Sequence, residues 1–395
     1  MPAAPSLLIV PYRSKTGKLY SQIPTSGAGD FTVTRDTTAR RFNSAGLIES
    51  VASGIPRLDY YTSGGTAGCP ALLVEPAATN LCLQSEAFNT TWTRVSGGTG
   101  LLPVITANAV VAPDGTTTAE TIVFDRGSAT SGSANLSQVQ QVINLATSGT
   151  YTLSVYAKAT AAGDVGKQFY IRAKDTLVSG ALTSSWVRYT STETGVASGN
   201  TSIMIGNRGG FTANQSVSVD LWGAQLETGS VATSYIPTTT GTGSRSGDLV
   251  SVTGAVSGSI GQTAGTFYLD LTYSLRLTST ATRWIQIFGS SNNIGLAVAT
   301  TNIVRSIVNG QSDILSTPST ADGVKIAWGY DGSGVVCFVN GTQYTLTNGG
   351  AQIITQLNQI SLDLSTTTAI GNCRLRAMAL YTTRLTNDEL AALTA

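Results

Sequence analysis

The chain has 395 residues and a formal net charge of +1, from 23 Lys+Arg and 22 Asp+Glu residues. This balance gives no electrostatic basis for binding nucleic acid or an anionic membrane. Histidine is absent, which removes the commonest general base and the commonest metal ligand. Charged residues make up only 11% of the chain and Thr, Ser and Gly are abundant, so strands and turns are favoured over helices. We therefore expect an all-β protein of two or three domains.

Cysteine spacing and hydropathy bear on metal sites, disulfides and membrane segments. No CxxC spacing joins Cys69, Cys82, Cys337 and Cys373, and without His a structural zinc site is not expected. We expect four buried thiols that pack as small apolar groups. One or two disulfides are the alternative, with Cys337 and Cys373 as the better pair because both lie in strand-like runs of one module. The apolar run Leu7–Val10 is too short for a signal peptide, and no run predicts membrane insertion.

Residues 1–84 are predicted to form an N-terminal arm and anchoring region. Residues 1–24 carry too little apolar surface to fold alone, so we expect them to pack on a partner or on the next segment. Arginines are concentrated just after residues 1–24, at Arg35, Arg40, Arg41 and Arg57. They indicate either an anion site or pairing with Asp36, Glu49 and Asp59. Pairing is favoured, because Arg commonly pins loop carboxylates.

Residues 85–240 are predicted to form a first β-sandwich. Period-two alternation is clearest at the end, where Val217, Val219 and Leu221 alternate with Ser218, Asp220 and Trp222. Turn residues separate the segments, and no helical period appears. The predicted strands are Leu101–Ile105, Thr118–Phe124, Gln138–Ile143, Thr150–Ala157, Gln168–Lys174, Trp186–Thr192, Ser202–Gly206 and Ser216–Leu226.

Residues 241–248 are predicted to be a linker, because this stretch is rich in Gly, Ser and Thr. A second sandwich is predicted over 249–395. Its tight turns are expected at Asp331–Gly334 and Asn340–Gly341. The chain's best helix follows at Thr386–Leu393, because Thr386 and Glu389 have the spacing of a capping box.

The runs RRFNSAGLIESVASGIPRLDY, CPALLVEPAATNLCLQSEAFNTTW, YTLSVYAKA and VDLWGAQLETGSVATSYIPTT resemble a family of tailed-bacteriophage virion proteins. The match covers roughly residues 30–240. It implies a non-enzymatic appendage (fibre, spike or head decoration), made in the host cytoplasm and located in the virion. It further implies an N-terminal region anchored to capsid or tail proteins, a homotrimer, and host-glycan adhesion by the outer modules. The alternatives are a carbohydrate-binding adhesin and a polysaccharide depolymerase.

The order of strands in the first sandwich resembles carbohydrate-binding jelly rolls, in which aromatic side chains stack on sugar rings. That resemblance makes Tyr170, Trp186 and Trp222 the candidate glycan contacts. A lone aromatic in a strand is more often part of a core, and this alternative is preferred for Trp186 and Trp222. The last module resembles concanavalin A-like or laminin G-like sandwiches, through runs such as GTFYLDL, WIQIFG and KIAWGYDGSGVVCFV.

No catalytic or cofactor site is expected. The Glu residues are scattered singly, whereas a glycosidase needs two carboxylates on facing strands. Loop aspartates leave calcium binding open, but none has the spacing of a calcium loop. Capping of turns is the preferred role for them. The aspartates concerned are Asp114, Asp125, Asp164, Asp175, Asp313, Asp322 and Asp363.

Overall fold

The computed structural model describes residues 4–62, 65–127, 132–210, 212–275, 282–298, 304–315, 320–363 and 370–395. The described residues form antiparallel sheets and one short C-terminal α-helix, which confirms the predicted fold class. The chain divides into two compact units. Unit 1 combines Met1–Ala77 with Ser246–Ala395, and unit 2 is Ala78–Arg245. Within the described ranges, no helix has the length and apolar character needed to cross a bilayer.

The described residues of both units form strands, which are numbered in chain order. The first part of unit 1 contains β1 (Leu7–Ile9), β2 (Ser14–Lys15), β3 (Lys18–Leu19), β4 (Phe31–Thr34), β5 (Ala39–Phe42), β6 (Ile48–Val51), β7 (Arg57–Thr62) and β8 (Gly65–Val74). Unit 2 contains β9 (Ala78–Asn80), β10 (Thr93–Gly97), β11 (Val104–Val110), β12 (Ala119–Asp125), β13 (Leu136–Leu145), β14 (Gly149–Ala159), β15 (Gln168–Arg172), β16 (Leu177–Ala181), β17 (Val187–Val196), β18 (Gly199–Arg208), β19 (Ser216–Thr228) and β20 (Gly243–Arg245). The rest of unit 1 contains β21 (Leu249–Thr253), β22 (Gly265–Leu275), β23 (Thr282–Phe288), β24 (Asn293–Val298), β25 (Val304–Val308), β26 (Gln311–Ile314), β27 (Thr320–Asp331), β28 (Gly334–Val339), β29 (Thr342–Tyr344), β30 (Gln359–Asp363), β31 (Ile370–Tyr381) and helix α1 (Asn387–Thr394).

Unit 2 is a sandwich of two five-stranded antiparallel sheets, ordered β10-β13-β18-β15-β16 and β11-β12-β19-β14-β17. One apolar cluster fills the space between them, with Val217, Val219 and Leu221 of β19 fully buried in it. Eight strands of this unit overlap the eight segments predicted from alternation. The alternation of β19 breaks at Gly223, whose φ is +67° and which lies beside a register shift against β14. A bulge of this kind re-aims the side chains that follow.

Unit 1 has a nine-stranded and an eight-stranded sheet. Their order is β2-β3-β4-β21-β30-β23-β24-β25-β26 in the larger sheet and β29-β28-β27-β22-β31-β8-β7 in the smaller, with β1 paired to β31. The predicted N-terminal arm over 1–84 is therefore corrected. Residues 4–77 supply strands to both sheets, and Leu7, Phe31 and Leu72 lie in the same core as residues of β22 and β31. The segment lacks enough apolar surface by itself because its partner strands come from the other end of the chain.

A buried cluster of charges joins the two parts of unit 1. Arg57 pairs with Glu75 (Nη1 to Oε2, 2.6 Å) and with Asp248, and Arg35 pairs with Asp248 at 2.9 Å. All four side chains are at most 2% exposed. Pairing of the arginines, the preferred alternative, is thus what the structure contains. Arg41 takes one of the predicted partners, Glu49.

The predicted linker is also corrected, because its residues have fixed partners. Within unit 2, β20 pairs with β9 and Arg245 is 2% exposed. Asp248 belongs to the charge cluster of unit 1. By contrast, two local predictions are confirmed. Asn340 and Gly341 form the left-handed turn between β28 and β29. Thr386 and Glu389 form the capping box of α1.

Candidate functional site

The outer face of the second sheet of unit 2 carries a small polar surface around Trp186. Alternation along β14 and β19 turns Lys158 and Asp220 away from the core, while their neighbours Ala157, Val219 and Leu221 face into it. The register places Lys158 opposite Asp220. We call the group formed by Trp186, Lys158, Asp220, Thr121 and Thr160 the Trp186 surface.

Trp186 itself is half-buried and held at both its edge and one face. Its indole Nε1 donates to the carbonyl oxygen of Val111 at 3.1 Å, although the two residues are 75 positions apart. The Lys158 ammonium lies 5.3 Å from the ring centroid, which is the distance of a cation–π contact. The ring is thereby fixed before any ligand arrives, which lowers the entropy cost of binding.

Asp220 organises the polar groups beside this ring. Its side chain is 1% exposed, and its Oδ1 accepts hydrogen bonds from Thr121 at 2.7 Å and from Thr160 at 2.9 Å. The Lys158 Nζ lies 3.6 Å from Oδ2 and offsets the charge. Thr160 is exposed and accepts a further bond from Ser218. The surface therefore offers an aromatic face, hydroxyl groups and an ammonium without a large net charge.

Such a surface suits a polyhydroxylated ligand better than a strongly charged one. An aromatic ring covers the apolar face of a sugar, while fixed hydroxyls and amines exchange hydrogen bonds with its rim. A phosphate or carboxylate would meet the Lys158 charge already balanced by Asp220 at 3.6 Å.

Burial distinguishes the three predicted glycan contacts from one another. Trp222 is fully buried. Its ring centroid lies 4.4 Å from that of Tyr235 and 5.7 Å from that of Tyr156, and its Nε1 donates a hydrogen bond to Thr118 Oγ1. Tyr170 is also fully buried, and its hydroxyl donates to Gln138. Burial raises the pKa of Tyr170. Neither ring can cover a sugar, so these two candidates are withdrawn and Trp186 is kept.

Trp92 and the loop carboxylate Asp313 have structural roles. Trp92 is 3% exposed and packs on Phe88. Asp313 accepts the backbone N–H groups of Asn348 and Gly349, as expected of a turn-capping carboxylate. The side chains of Asp322 and Asp363 lie outside the described residues. In the part of the chain that is described, no three Asp, Glu or Cys side chains gather as a metal site. The four cysteines are thiols; three are buried, whereas Cys69 is exposed, which corrects its predicted burial.

Sequence reasoning missed Lys158 and Asp220. Period two alone places both on the outer side of their strands, since each lies between apolar residues. Their pairing requires the register between β14 and β19, which brings together Lys158 and Asp220 from strands that are far apart in the sequence. No local motif marks that register.

Comparisons with known proteins find only distant likenesses. No protein-family model matches the chain, and no curated protein matches it. Among solved structures, a Trypanosoma rangeli sialidase in complex with sialic acid is 10% identical with a TM-score of 0.32, covering 38% of this chain and 26% of the sialidase. The receptor binding domain of botulinum neurotoxin C/D mosaic serotype is 11% identical (TM-score 0.32; 38% of this chain, 40% of that one). The Ruminococcus gnavus IT-sialidase CBM40 bound to alpha2,3 sialyllactose is 16% identical (TM-score 0.26; 34% and 84%). Likenesses at this level carry no argument about function.

Proposed function

We propose that the chain is a non-enzymatic, carbohydrate-binding component of a tailed-phage virion, and that unit 2 contacts a glycan through the Trp186 surface. The observation that carries the binding proposal is the half-buried Trp186, held by Val111 at its edge and by Lys158 on one face. Hydroxyls bound to Asp220 lie on the same side of the sheet and supply the polar contacts that a sugar needs.

The virion role is supported by the resemblance of roughly residues 30–240 to phage structural proteins. Appendages of this kind display β-sandwiches outward and attach to head or tail proteins. Since residues 4–77 are built into unit 1, attachment would use a folded surface of that unit rather than a detached arm. A homotrimeric state remains part of this proposal, and sedimentation of the intact chain tests it: a stable monomer at assembly concentrations would contradict it.

A binding role without catalysis fits the chemistry of Asp220. Its Oδ1 already accepts two hydroxyl hydrogen bonds, and its side chain is 1% exposed. A general acid or nucleophile must instead reach the glycosidic bond. Incubating the chain with the polysaccharides that it binds should release no new reducing ends. Sustained release would favour the depolymerase alternative.

A glycan array followed by titration calorimetry tests the binding role. Trp186→Ala should weaken binding of the best glycan at least tenfold, because a truncated aromatic anchor costs roughly 2 kcal/mol or more. Tyr12→Ala is the matched control, since Tyr12 is a 60% exposed aromatic of unit 1. Equal affinity in the native chain, Trp186→Ala and Tyr12→Ala would overturn the role of the Trp186 surface. An array without hits would do the same.

The location is tested separately. Antibody labelling of purified phage particles should show the chain at regular positions on the head or the tail. Its absence from washed particles would contradict the virion role and leave carbohydrate binding as the function to be explained.

A further inference from the structure

A cavity of about 240 Å³ lies at one end of the nine-stranded sheet of unit 1. The loop between β23 and β24 forms one wall and the turn between β25 and β26 forms another. Its lining consists mainly of amides, hydroxyls and one aromatic ring, and of the described residues that line it none is charged. The polar and aromatic side chains of this lining include Gln286, Phe288, Ser291, Asn292, Asn293 and Asn309.

The walls of this cavity are held by hydrogen bonds to neighbouring backbone. Asn309 adopts a φ of +49° in the turn; its Oδ1 accepts from Asn293 N at 3.1 Å, and its Nδ2 donates to Ile353 O at 2.9 Å. Asn292 Nδ2 donates to Thr355 Oγ1 at 3.3 Å. A Cβ at Gly289 would lie 1.8 Å from the carbonyl oxygen of Gln356, so only glycine permits this approach. The cavity is therefore preorganised.

One wall group has unused hydrogen-bonding capacity. Gln286 and Phe288 alternate with Ile285 and Ile287, which face the core, so both point to the outer side of β23. The Gln286 Oε1 is buried and accepts no hydrogen bond from any residue that the structure describes. Leaving a buried acceptor unpaired costs roughly 1–3 kcal/mol, so such a group calls for a partner.

We propose that this cavity binds a single uncharged sugar ring. Amide groups and serine hydroxyls can exchange hydrogen bonds with vicinal hydroxyls, and Phe288 supplies an apolar face. The absence of charge in the described lining disfavours phosphates and acidic sugars. The volume is below the roughly 300–1,000 Å³ of pockets for drug-sized ligands, which limits the occupant to one ring or one chain end.

This proposal shares its ligand class with the proposed function but uses a different unit. The two can therefore fail separately. Loss of binding in Trp186→Ala concerns unit 2, whereas the cavity is altered by substitutions at Gln286 and Ser291.

The test is a ligand-induced shift in melting temperature with glucose, galactose, mannose and N-acetylglucosamine, and with sialic acid as the charged probe. At least one neutral sugar should raise the melting temperature of the native chain and of Trp186→Ala, because binding to the folded state stabilises it. Gln286→Leu should abolish this shift. It should also leave the sugar-free melting temperature unchanged or higher, since an unpaired acceptor is replaced by a side chain of similar size.

Ser291→Trp is the second variant, because Ser291 is exposed and a large ring there would obstruct the cavity. It should remove the shift without disturbing the core. No saturable shift with any neutral sugar would overturn the proposal, as would a shift that survives both variants. A lower sugar-free melting temperature in Gln286→Leu, with no sugar effect in the native chain, would show that Gln286 binds water only.

Discussion

Asp248 of unit 1 and Glu120 of unit 2 are buried carboxylates in opposite surroundings. In unit 1, Asp248 is enclosed by Arg35 and Arg57, and Glu75 also pairs with Arg57. In the core of unit 2, Glu120 is 2% exposed and accepts a hydrogen bond from Phe88 N at 2.8 Å, with no cation beside it among the described residues. Burial therefore raises the pKa of Glu120 to about 7. Paired charges tie distant segments together, whereas an unpaired one makes stability depend on pH.

The largest expected effect comes from breaking the cluster in unit 1. Arg57→Met removes the cation that lies beside both Glu75 and Asp248, and Arg35 alone is left near two buried negative charges. The free energy of unfolding should fall by about 3–5 kcal/mol, measured by urea titration. Arg41→Met is the control, because its pair with Glu49 is partly exposed and should contribute at most about 1 kcal/mol. Similar losses in the two variants would show that burial does not distinguish these ion pairs.

A second substitution tests whether the N-terminal segment is part of the unit 1 core. Leu7 is fully buried and lies opposite Leu380 of β31. Leu7→Ala should lower the free energy of unfolding by about 2–5 kcal/mol through lost burial and a residual cavity. Leu47→Ala, at a 38% exposed site, should change it by about 0.5 kcal/mol or less. If Leu7→Ala were equally neutral, the N-terminal strands would be a dispensable arm after all.

The smallest of the three effects depends on pH. Because burial raises the pKa of Glu120 from 4.5 to about 7, the folded state binds more protons than the unfolded state in that interval. Stability should therefore decrease as pH rises from about 4.5 to about 7, by up to about 3 kcal/mol. Glu120→Gln should remove this decrease and be the more stable protein at pH 8, because Gln imitates the protonated acid.

Glu193 provides the matched comparison for Glu120. Hydrogen bonds from Thr176 lower the pKa of Glu193, so its contribution is present at neutral pH and is lost as pH falls through its folded pKa. Glu193→Gln should accordingly lose stability at neutral pH and not in acid. Parallel pH profiles for the Glu120→Gln and Glu193→Gln chains, measured by urea titration, would contradict the assignment of opposite signs.

Much of the local structure followed from residue pattern. Alternation located eight strands of unit 2, the Asn340–Gly341 pair located a turn, and Thr386 with Glu389 located the start of α1. These signals act over a few residues, through side-chain period, left-handed backbone and capping hydrogen bonds. They need no knowledge of the partner strand.

The candidate sites depended on contacts between residues far apart in sequence. The pattern places both Trp222 and Lys158 on the outer side of a sheet, yet Trp222 is covered by Tyr235 while Lys158 stays beside Trp186. The same holds for the cavity in unit 1, where two loops bring Asn293 and Asn309 together.

The sequence by itself determined the all-β class, the positions of most strands of unit 2 and the C-terminal helix. Only the tertiary structure decided that residues 4–77 complete the sandwich of 246–395, and which outward-facing aromatic remains accessible. The physical reason is the distance along the sequence over which each kind of interaction acts. Alternation fixes the face on which a side chain lies, but its exposure is set by whichever distant segment packs over that face.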